Sequence, residues 1–285
     1  MTSRQVRLSG ADGLTIAADE WGDREHQAVL LLHGGGQTRH SWKSAGAELA
    51  AAGRHVVSAD LRGHGDSDWS PDARYGFEAH RDDVLSYLPQ ITDGPLVLVG
   101  ASLGGLTSLL VTQHRPDLVR ALVLVDVVVQ LETTGTNRIR EFMFGNRAGF
   151  DSLEQAADAI AAYLPHRPRP KSTDGLRKNL RQREDGRWYW HWDPAMTAHP
   201  EAADEALQRK TWENLDEIAR SITVPTLLIQ GGLSDVVSDE GVQHFRELVP
   251  HLEVATIAGA GHTAAADDND AFTAAVSEFV ARVSG

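Results

Sequence analysis

The 285-residue sequence contains no cysteine, and this absence narrows the chemistry that the chain can perform. Without thiols it forms no disulfide, offers no thiolate nucleophile and builds no cysteine-ligated metal site. It also lacks any apolar run of the roughly 20 residues that a membrane-spanning helix needs. Since its first residues carry no apolar signal-peptide core either, we expect a cytoplasmic protein.

Basic residues are also few, because 27 Lys and Arg stand against 40 Asp and Glu and leave a formal net charge of -13. A chain this acidic is repelled by the phosphates of nucleic acid and by anionic membrane surfaces. We therefore expect no nucleic-acid partner and no membrane partner. The expected partner is a small-molecule substrate, bound by a monomer or a homodimer.

Short apolar runs bounded by turn residues predict buried strands. Their apolarity is continuous rather than alternating, which is typical of a parallel sheet covered on both faces. Helical patterns such as residues 77–91 lie between the runs and predict the βαβ units of an α/β fold. Two further strands, over 4–9 and 13–21, follow each other without a helix and predict an antiparallel start. The apolar runs are residues 28–33, 55–60, 95–100, 120–126, 225–230 and 252–257.

One stretch interrupts the alternation of strands and helices. Residues 127–215 show helical patterns but no convincing strand–helix unit. We therefore predict an α/β core domain made of residues 1–126 and 216–285, with a helical cap inserted between its two parts. Residues 127–215 are called the cap segment below.

A glycine-rich turn follows the strand predicted over 95–100. Gly100-Ala101-Ser102-Leu103-Gly104 matches G-x-S-x-G, directly after a strand and directly before a helix. Such a turn lifts the serine hydroxyl clear of the chain as a nucleophile and places the Leu103 N–H at a helix N-terminus, where it can stabilise an oxyanion. The simpler interpretation is a serine that only caps the helix.

A serine nucleophile needs a base, and the base needs a carboxylate that fixes its tautomer. His262 lies in a glycine-containing loop between the last predicted strand and the last helix, which makes it the candidate base. We predict Asp235, just past the preceding strand, as the acid, because its glycine-rich loop has more freedom to deliver a carboxylate. Asp126, at the end of the strand over 120–126, is the alternative acid, and Asp239 is a further one.

The second oxyanion donor should come from a loop after an early strand. His33 ends such a strand and is followed by three glycines, of which Gly35 is the predicted donor. We interpret His33 as a support for this loop rather than as a base. A phosphate-binding loop is disfavoured, because no Lys-Ser/Thr follows the glycines and G-x-G-x-x-G does not fit.

Together these segments resemble the α/β-hydrolase superfamily over nearly the whole chain. "HGGG", "DLRGHGDSD", "GASLGG", "GGLSD" and "GAGH" occur in the order and at spacings similar to those of that family. The resemblance implies a mostly parallel eight-stranded sheet with a helical cap after the sixth strand. It also implies Ser102 as nucleophile, His262 as base, Asp235 as acid, and Gly35 and Leu103 as the oxyanion hole. No cofactor is expected, and the pair His64 and Asp66 lacks the further ligands of a metal site.

A serine at this position indicates acyl transfer. Members of the resembled family that form alkyl-enzyme intermediates carry aspartate at the same position. We expect hydrolysis of a carboxylic ester or lactone of a small, largely apolar substrate through an acyl-enzyme. Alternatives are carbon–carbon hydrolysis of a dienoic ketoacid and a cofactor-free haloperoxidase or perhydrolase activity. A small-molecule receptor on the same fold is the non-enzymatic alternative.

The cap segment holds the clues to the substrate. Residues 166–187 carry eight Arg and Lys against three acids, which indicates either a solvated face or arginines that meet a substrate carboxylate. The stretch over 187–193 is rich in tryptophan, and large aromatics can wall an apolar pocket or simply pack a small core. The candidate substrate contacts are Trp42, Trp188, Trp190, Trp192 and Arg187.

Overall fold

A central eight-stranded sheet dominates the computed structural model, which describes residues 2–165, 169, 172–197, 214–262 and 269–283. The strand order is β1-β2-β4-β3-β5-β6-β9-β10, and β7 with β8 forms a separate hairpin. The strands are β1 (Arg4–Ser9), β2 (Thr15–Trp21), β3 (Ala28–Leu32), β4 (His55–Ala59), β5 (Leu96–Ala101), β6 (Val119–Val125), β7 (Leu180–Gln182), β8 (Trp188–Trp190), β9 (Thr226–Gly231) and β10 (Leu252–Ile257).

The pairing of the strands confirms the predicted sheet. β2 is antiparallel to both β1 and β4, and every other neighbouring pair in the main sheet is parallel. The six continuous apolar runs therefore became the parallel strands, and the two amino-terminal strands form the antiparallel edge. Because the carboxyl ends of the parallel strands meet along one edge, the loops that follow them converge there.

Helices cover both faces of the sheet. Val29 and Leu31 of β3 point to one face, with helices α1 and α8, whereas Leu30 and Leu32 point to the other, with α2, α3, α6 and α7. This two-sided burial explains why the strands read as continuous apolar runs. The helices are α1 (Lys43–Ala51), α2 (Phe77–Ile91), α3 (Leu103–His114), α4 (Thr133–Gly145), α5 (Leu153–Tyr163), α6 (described over 214–220), α7 (Asp239–Leu248) and α8 (Asn269–Val283).

None of the helices in the described ranges has the length and apolarity that crossing a bilayer demands. Between β6 and β9 the chain forms α4, α5 and the hairpin β7–β8. This hairpin corrects one expectation, since no strands were predicted in the cap segment. The division into domains at 126 and 216 stays a prediction, and residues 198–213 of the cap segment lie outside the described part.

The end of the hairpin is attached to the loop that follows β4. The Gly65 N–H donates to the His191 carbonyl at 2.8 Å, and the Asp193 N–H donates to the Gly63 carbonyl at 2.8 Å. His64 and Trp192 face each other in this short antiparallel bridge. The Tyr75 hydroxyl also donates to the Asp193 carboxylate. These contacts hold the hairpin over the carboxyl edge of the sheet.

Candidate active site

Ser102 occupies the turn between β5 and α3. Its backbone has φ 47° and ψ −114°, a conformation that L-residues rarely adopt and that the surrounding structure must enforce. A Cβ atom at Gly100 would lie 2.3 Å from the Gly104 carbonyl oxygen, and one at Gly104 would lie 2.3 Å from the Leu32 carbonyl oxygen. Only glycine therefore fits at positions 100 and 104, on either side of this serine.

Two backbone N–H groups beside Ser102 are available as donors. In the described part of the chain, neither the Gly35 N–H nor the Leu103 N–H donates to a protein atom. Gly35 and Leu103 both line the cavity that contains Ser102. The loop carrying Gly35 is tied to α3, because the Gly104 N–H donates to the His33 carbonyl at 3.1 Å. Among the described residues, both N–H groups are therefore unpaired donors of residues that line the cavity beside Ser102.

His33 supports this loop with a fully buried imidazole. The Leu61 N–H donates to His33 Nε2 at 3.0 Å, so Nε2 is an acceptor and Nδ1 carries the proton that bonds to the Gly34 carbonyl at 2.8 Å. Burial lowers the pKa of His33 to about 4, which keeps the ring neutral near pH 7. The side chain contacts backbone on both sides and lies outside the cavity lining.

His64 supports the same loop in the same tautomer. The Gly36 N–H donates to His64 Nε2 at 3.1 Å, and His64 Nδ1 donates to the Arg62 carbonyl at 3.1 Å. Burial and the neighbouring His33 lower the pKa of His64 to about 3. Asp66, its suggested metal partner, instead forms ion pairs with Arg39 at 2.9 Å and Arg181 at 3.0 Å. Both side chains are therefore engaged with protein groups.

His262 lies at the carboxyl edge of the sheet and is oriented by Asp126. His262 Nδ1 donates to Asp126 Oδ2 at 2.8 Å, which leaves Nε2 as the acceptor nitrogen. The Asp126 side chain is completely buried, and that of His262 is 10% exposed. His262 and Ser102 line the same cavity, and no hydrogen bond joins them among the described residues. Such bonds often tighten only when substrate binds.

The structure corrects the predicted partner of His262. Asp235 forms an ion pair with Arg138 of α4 at 3.0 Å, whereas the hydrogen bond of the imidazole goes to Asp126. A guanidinium attracts a carboxylate more strongly than a neutral imidazole does, which accounts for the pairing of Asp235 with Arg138. The alternative acid, Asp126, holds the position beside His262. Asp239 instead accepts a hydrogen bond from the Gln230 side chain at 3.2 Å.

Three donors hold the Asp126 carboxylate. The Gly231 N–H donates to Oδ1 at 2.8 Å, and the Ser234 hydroxyl donates to Oδ2 at 2.6 Å, beside the bond from His262. Ser234 Oγ itself accepts from the N–H groups of Val236 and Val237, both at 3.1 Å, so its single proton points to the carboxylate. Asp126 also has a positive φ of 48°. Sequence reasoning overlooked Ser234, because a serine in a loop carries no distinguishing signal.

A cavity of about 360 Å³ opens above Ser102. Its wall is mostly apolar and aromatic, with the Trp190 and Trp192 rings stacked at 4.9 Å and the Phe142 and Tyr163 rings stacked at 4.2 Å. The described lining residues contain no Asp, Glu, Lys or Arg. They are Gly34, Gly35, Gly36, Gln37, Ser41, Trp42, Ala101, Ser102, Leu103, Val125, Ile139, Phe142, Met143, Ile160, Tyr163, Leu164, Leu176, Asn179, Trp190, Trp192 and His262.

The cavity includes some predicted substrate contacts and omits others. Trp42, Trp190 and Trp192 line it, whereas Trp188 and Arg187 do not. Trp188 instead packs against the apolar cluster of Phe150, Leu153, Ala156 and Leu180, and the Arg177 guanidinium lies 4.7 Å from its ring centre. Arg187 forms an ion pair with Asp151 at 2.9 Å, away from the cavity. Trp188 and Arg187, which were expected to contact substrate, therefore do not belong to the described wall of this cavity.

The basic segment over 166–187 is largely paired with protein groups. Arg169 bonds to Asp158 at 2.7 Å, Arg181 bonds to Asp66 at 3.0 Å, and the Arg183 guanidinium lies 4.0 Å from the Tyr189 ring centre. These contacts favour the interpretation as a solvated, structural surface over recognition of a substrate carboxylate. Residues 166–168, 170 and 171 of this segment lie outside the described part.

The fold and the strained serine define a known class. The chain belongs to the α/β-hydrolase fold family, whose family model matches residues 27–268. It is similar to esterase Rv0045c of Mycobacterium tuberculosis, with 30% identity over 258 residues that span 88% of this chain and 82% of the relative. It is also similar to the sn-1-specific diacylglycerol lipase ABHD11 of Mus musculus, with 32% identity over 275 residues that span 91% and 83%.

Solved structures agree with this family assignment. The crystal structure of E-2-(acetamidomethylene)succinate hydrolase superposes with a TM-score of 0.83 at 22% identity, covering 98% of this chain and 99% of that one. At that identity the likeness shows the fold alone. A crystal structure of esterase Rv0045c superposes with a TM-score of 0.78 at 27% identity, covering 99% and 93%. The esterase and lipase relatives support a hydrolase.

Proposed function

We propose that this protein is a serine hydrolase that cleaves a small, neutral, largely apolar carboxylic ester. The observation that carries the proposal is the Asp126–His262 hydrogen bond, with the histidine in the same cavity as a strained serine and two unpaired N–H donors. The esterase and lipase relatives support the same reaction class.

The mechanism follows from the geometry of these groups. Asp126 holds the proton of His262 on Nδ1, so Nε2 can accept the Ser102 proton as the hydroxyl attacks the ester carbonyl. The negative charge that develops on the carbonyl oxygen is stabilised by the N–H groups of Gly35 and Leu103. The imidazolium then protonates the leaving alcohol, and an acyl group remains on Ser102.

Hydrolysis of the acyl-enzyme repeats these steps with water. His262 takes a proton from water as the water oxygen attacks the acyl carbon, and the same two N–H groups hold the second oxyanion. The proton returns to Ser102 Oγ as the acid leaves. Ser234 and the Gly231 N–H act on His262 through Asp126, because they keep its carboxylate in place throughout the cycle.

The cavity favours a neutral substrate. A carboxylate bound there would lose its hydration and find no cationic side chain among the described lining residues, which carries a large energetic penalty. This disfavours the dienoic ketoacid, whose carboxylate would need a partner. The same argument disfavours a dicarboxylate such as a succinate, the compound class that the name of the structural neighbour E-2-(acetamidomethylene)succinate hydrolase contains. Aromatic walls instead suit an apolar acyl or alkoxy group.

The proposal is tested with a fluorophosphonate probe and with p-nitrophenyl esters of increasing chain length. We expect the probe to label Ser102 in the wild type and to leave Ser102→Ala unlabelled. We expect turnover of short and medium esters that Ser102→Ala lacks. An unlabelled wild type, or turnover that persists in Ser102→Ala, would contradict the proposed nucleophile.

A further inference from the structure

The cavity has one polar wall that the proposed reaction does not use. Gln37, Ser41 and Asn179 line it together with the apolar and aromatic residues. A ligand pocket commonly contains a few placed polar groups that orient its ligand. What this wall recognises depends on which atoms its carboxamide side chains present to the cavity.

The Gln37 carboxamide has its oxygen already engaged. Its Oε1 accepts from the Gly34 N–H at 3.1 Å, and this bond fixes which end of the amide faces the loop. Its NH₂ group donates to no protein atom in the part of the chain that the structure describes. The nitrogen is unpaired in this part of the chain and is not shielded from solvent.

The Asn179 carboxamide shows a similar arrangement. Its Oδ1 accepts from the hydroxyl of the buried Thr38 at 2.9 Å, so the oxygen end of the amide faces Thr38. Its NH₂ group has no acceptor in the described ranges and is likewise accessible. Asn179 belongs to the cap segment, whereas Gln37 follows the glycine loop, so the two donors come from separate parts of the chain.

We propose that the NH₂ groups of Gln37 and Asn179 form a subsite for a second, neutral oxygen of the substrate, separate from the scissile carbonyl. An amide NH₂ group can only donate, so the ligand atom that meets it must be an acceptor. The oxygens of the two amides face Gly34 and Thr38. The described cavity lining has no Lys or Arg, which disfavours a carboxylate and favours an ether, ketone or ester oxygen. The preferred substrate class is an oxygen-substituted ester.

The test compares esters in which one methylene is replaced by oxygen. The acyl pairs are p-nitrophenyl butanoate with methoxyacetate, pentanoate with 3-methoxypropanoate, and hexanoate with 4-methoxybutanoate, and butyl with 2-methoxyethyl esters examine the leaving group. Each kcat/KM is divided by the rate of hydroxide-catalysed hydrolysis, which removes differences in intrinsic reactivity. The variants are Gln37→Met and Asn179→Leu, which keep side-chain size and remove the donors.

In the wild type we expect the oxygen ester of at least one pair to exceed its all-carbon partner about fivefold to tenfold, the size of one net hydrogen bond. Asn179→Leu and Gln37→Met should bring this ratio close to one. Gln182→Met is the matched control, because this residue lies in strand β7, which directly follows Asn179, is exposed and does not line the cavity. It should leave the ratio unchanged.

The kinetic arm rests on the proposed ester hydrolysis, so binding is measured separately. Calorimetry with Ser102→Ala should show the same preference in Kd, whether or not the wild type turns the esters over. No preference in any pair, or variants that lower both members of a pair equally, would overturn the subsite. Absence of turnover and of Ser102 labelling, with the binding preference retained, would instead refute only the proposed reaction.

Discussion

Replacing Asp126 by asparagine separates the two candidate acids. The carboxylate accepts three hydrogen bonds, two of them on Oδ2, from His262 and Ser234. An asparagine that keeps its oxygen toward the Gly231 N–H turns its NH₂ group toward both of these donors. His262 then accepts at Nδ1 and carries its proton on Nε2, the wrong tautomer for taking the proton of Ser102.

The expected effect is large and specific to this residue. In Ser-His-Asp enzymes the wrong tautomer lowers kcat by about 10⁴. This corresponds to about 5.4 kcal/mol, at about 1.36 kcal/mol for each factor of ten. Asp235→Asn removes only a partly exposed ion pair with Arg138, which contributes about 0–1 kcal/mol to the free energy of unfolding. Even if all of this energy were lost from the transition state, kcat should stay within about fivefold of the wild type.

The assay is steady-state hydrolysis of p-nitrophenyl butanoate by both variants. Thermal melting and tryptophan fluorescence check that each variant is folded, and labelling with fluorophosphonate measures the reactivity of Ser102 itself. A folded Asp126→Asn that retains more than about a tenth of the wild-type kcat would refute the reasoning. So would a loss in Asp235→Asn that equals the loss in Asp126→Asn.

Three further predictions follow from contacts around the site. Gly104→Ala places a Cβ 2.3 Å from the Leu32 carbonyl oxygen. We therefore expect a fall of several °C in the melting temperature and loss of fluorophosphonate labelling at Ser102. Gly94→Ala, whose Cβ meets open space, is the control. Ser234→Ala removes the hydrogen bond from the Ser234 hydroxyl to the Asp126 carboxylate, so kcat should fall about tenfold with little change in KM. An equal change in KM would contradict a positioning role for Ser234. His64 has a folded-state pKa of about 3, below its unfolded value of about 6.5, so the unfolded state binds more protons in that range and stability falls as the pH is lowered from 6.5. Urea unfolding between pH 7 and pH 4 measures this loss. The free energy of unfolding of His64→Gln should fall less steeply with decreasing pH than that of the wild type, by about 1.4 kcal/mol per pH unit below 6.5. An identical pH dependence would contradict a buried neutral imidazole at His64.

Much of the fold could be predicted because its physical causes are local in the sequence. Strands buried on both faces need continuous apolar runs, and the helix predicted over 77–91 has the same bounds in the structure as α2. The glycines around Ser102 could be predicted in the same way, because a Cβ atom at Gly100 or Gly104 would lie 2.3 Å from a carbonyl oxygen. The hairpin β7–β8 was missed because its three-residue strands are too short to show a period.

The candidate site was only partly predictable for a different reason. Ser102, His262 and Gly35 each follow a strand, and parallel strands bring such positions to one edge. Arg187 and Trp188 were expected to contact the substrate. In the structure Arg187 pairs with Asp151 and Trp188 contacts Arg177, because the packing of the cap segment brings these residues together. Partners of this kind lie far apart in sequence and leave no local pattern.

Local sequence patterns specify the parallel sheet, the strained serine and the sheet edge where the candidate site lies, because apolar runs and glycines act within a few residues. Which carboxylate lies beside His262 depends on the tertiary fold. Asp126 and Asp235 both follow strands that are neighbours in the sheet, so both reach the same edge. Arg138, distant in sequence, binds one carboxylate, and Ser234 and His262 bind the other. That choice depends on competing contacts across the fold, which no single segment encodes.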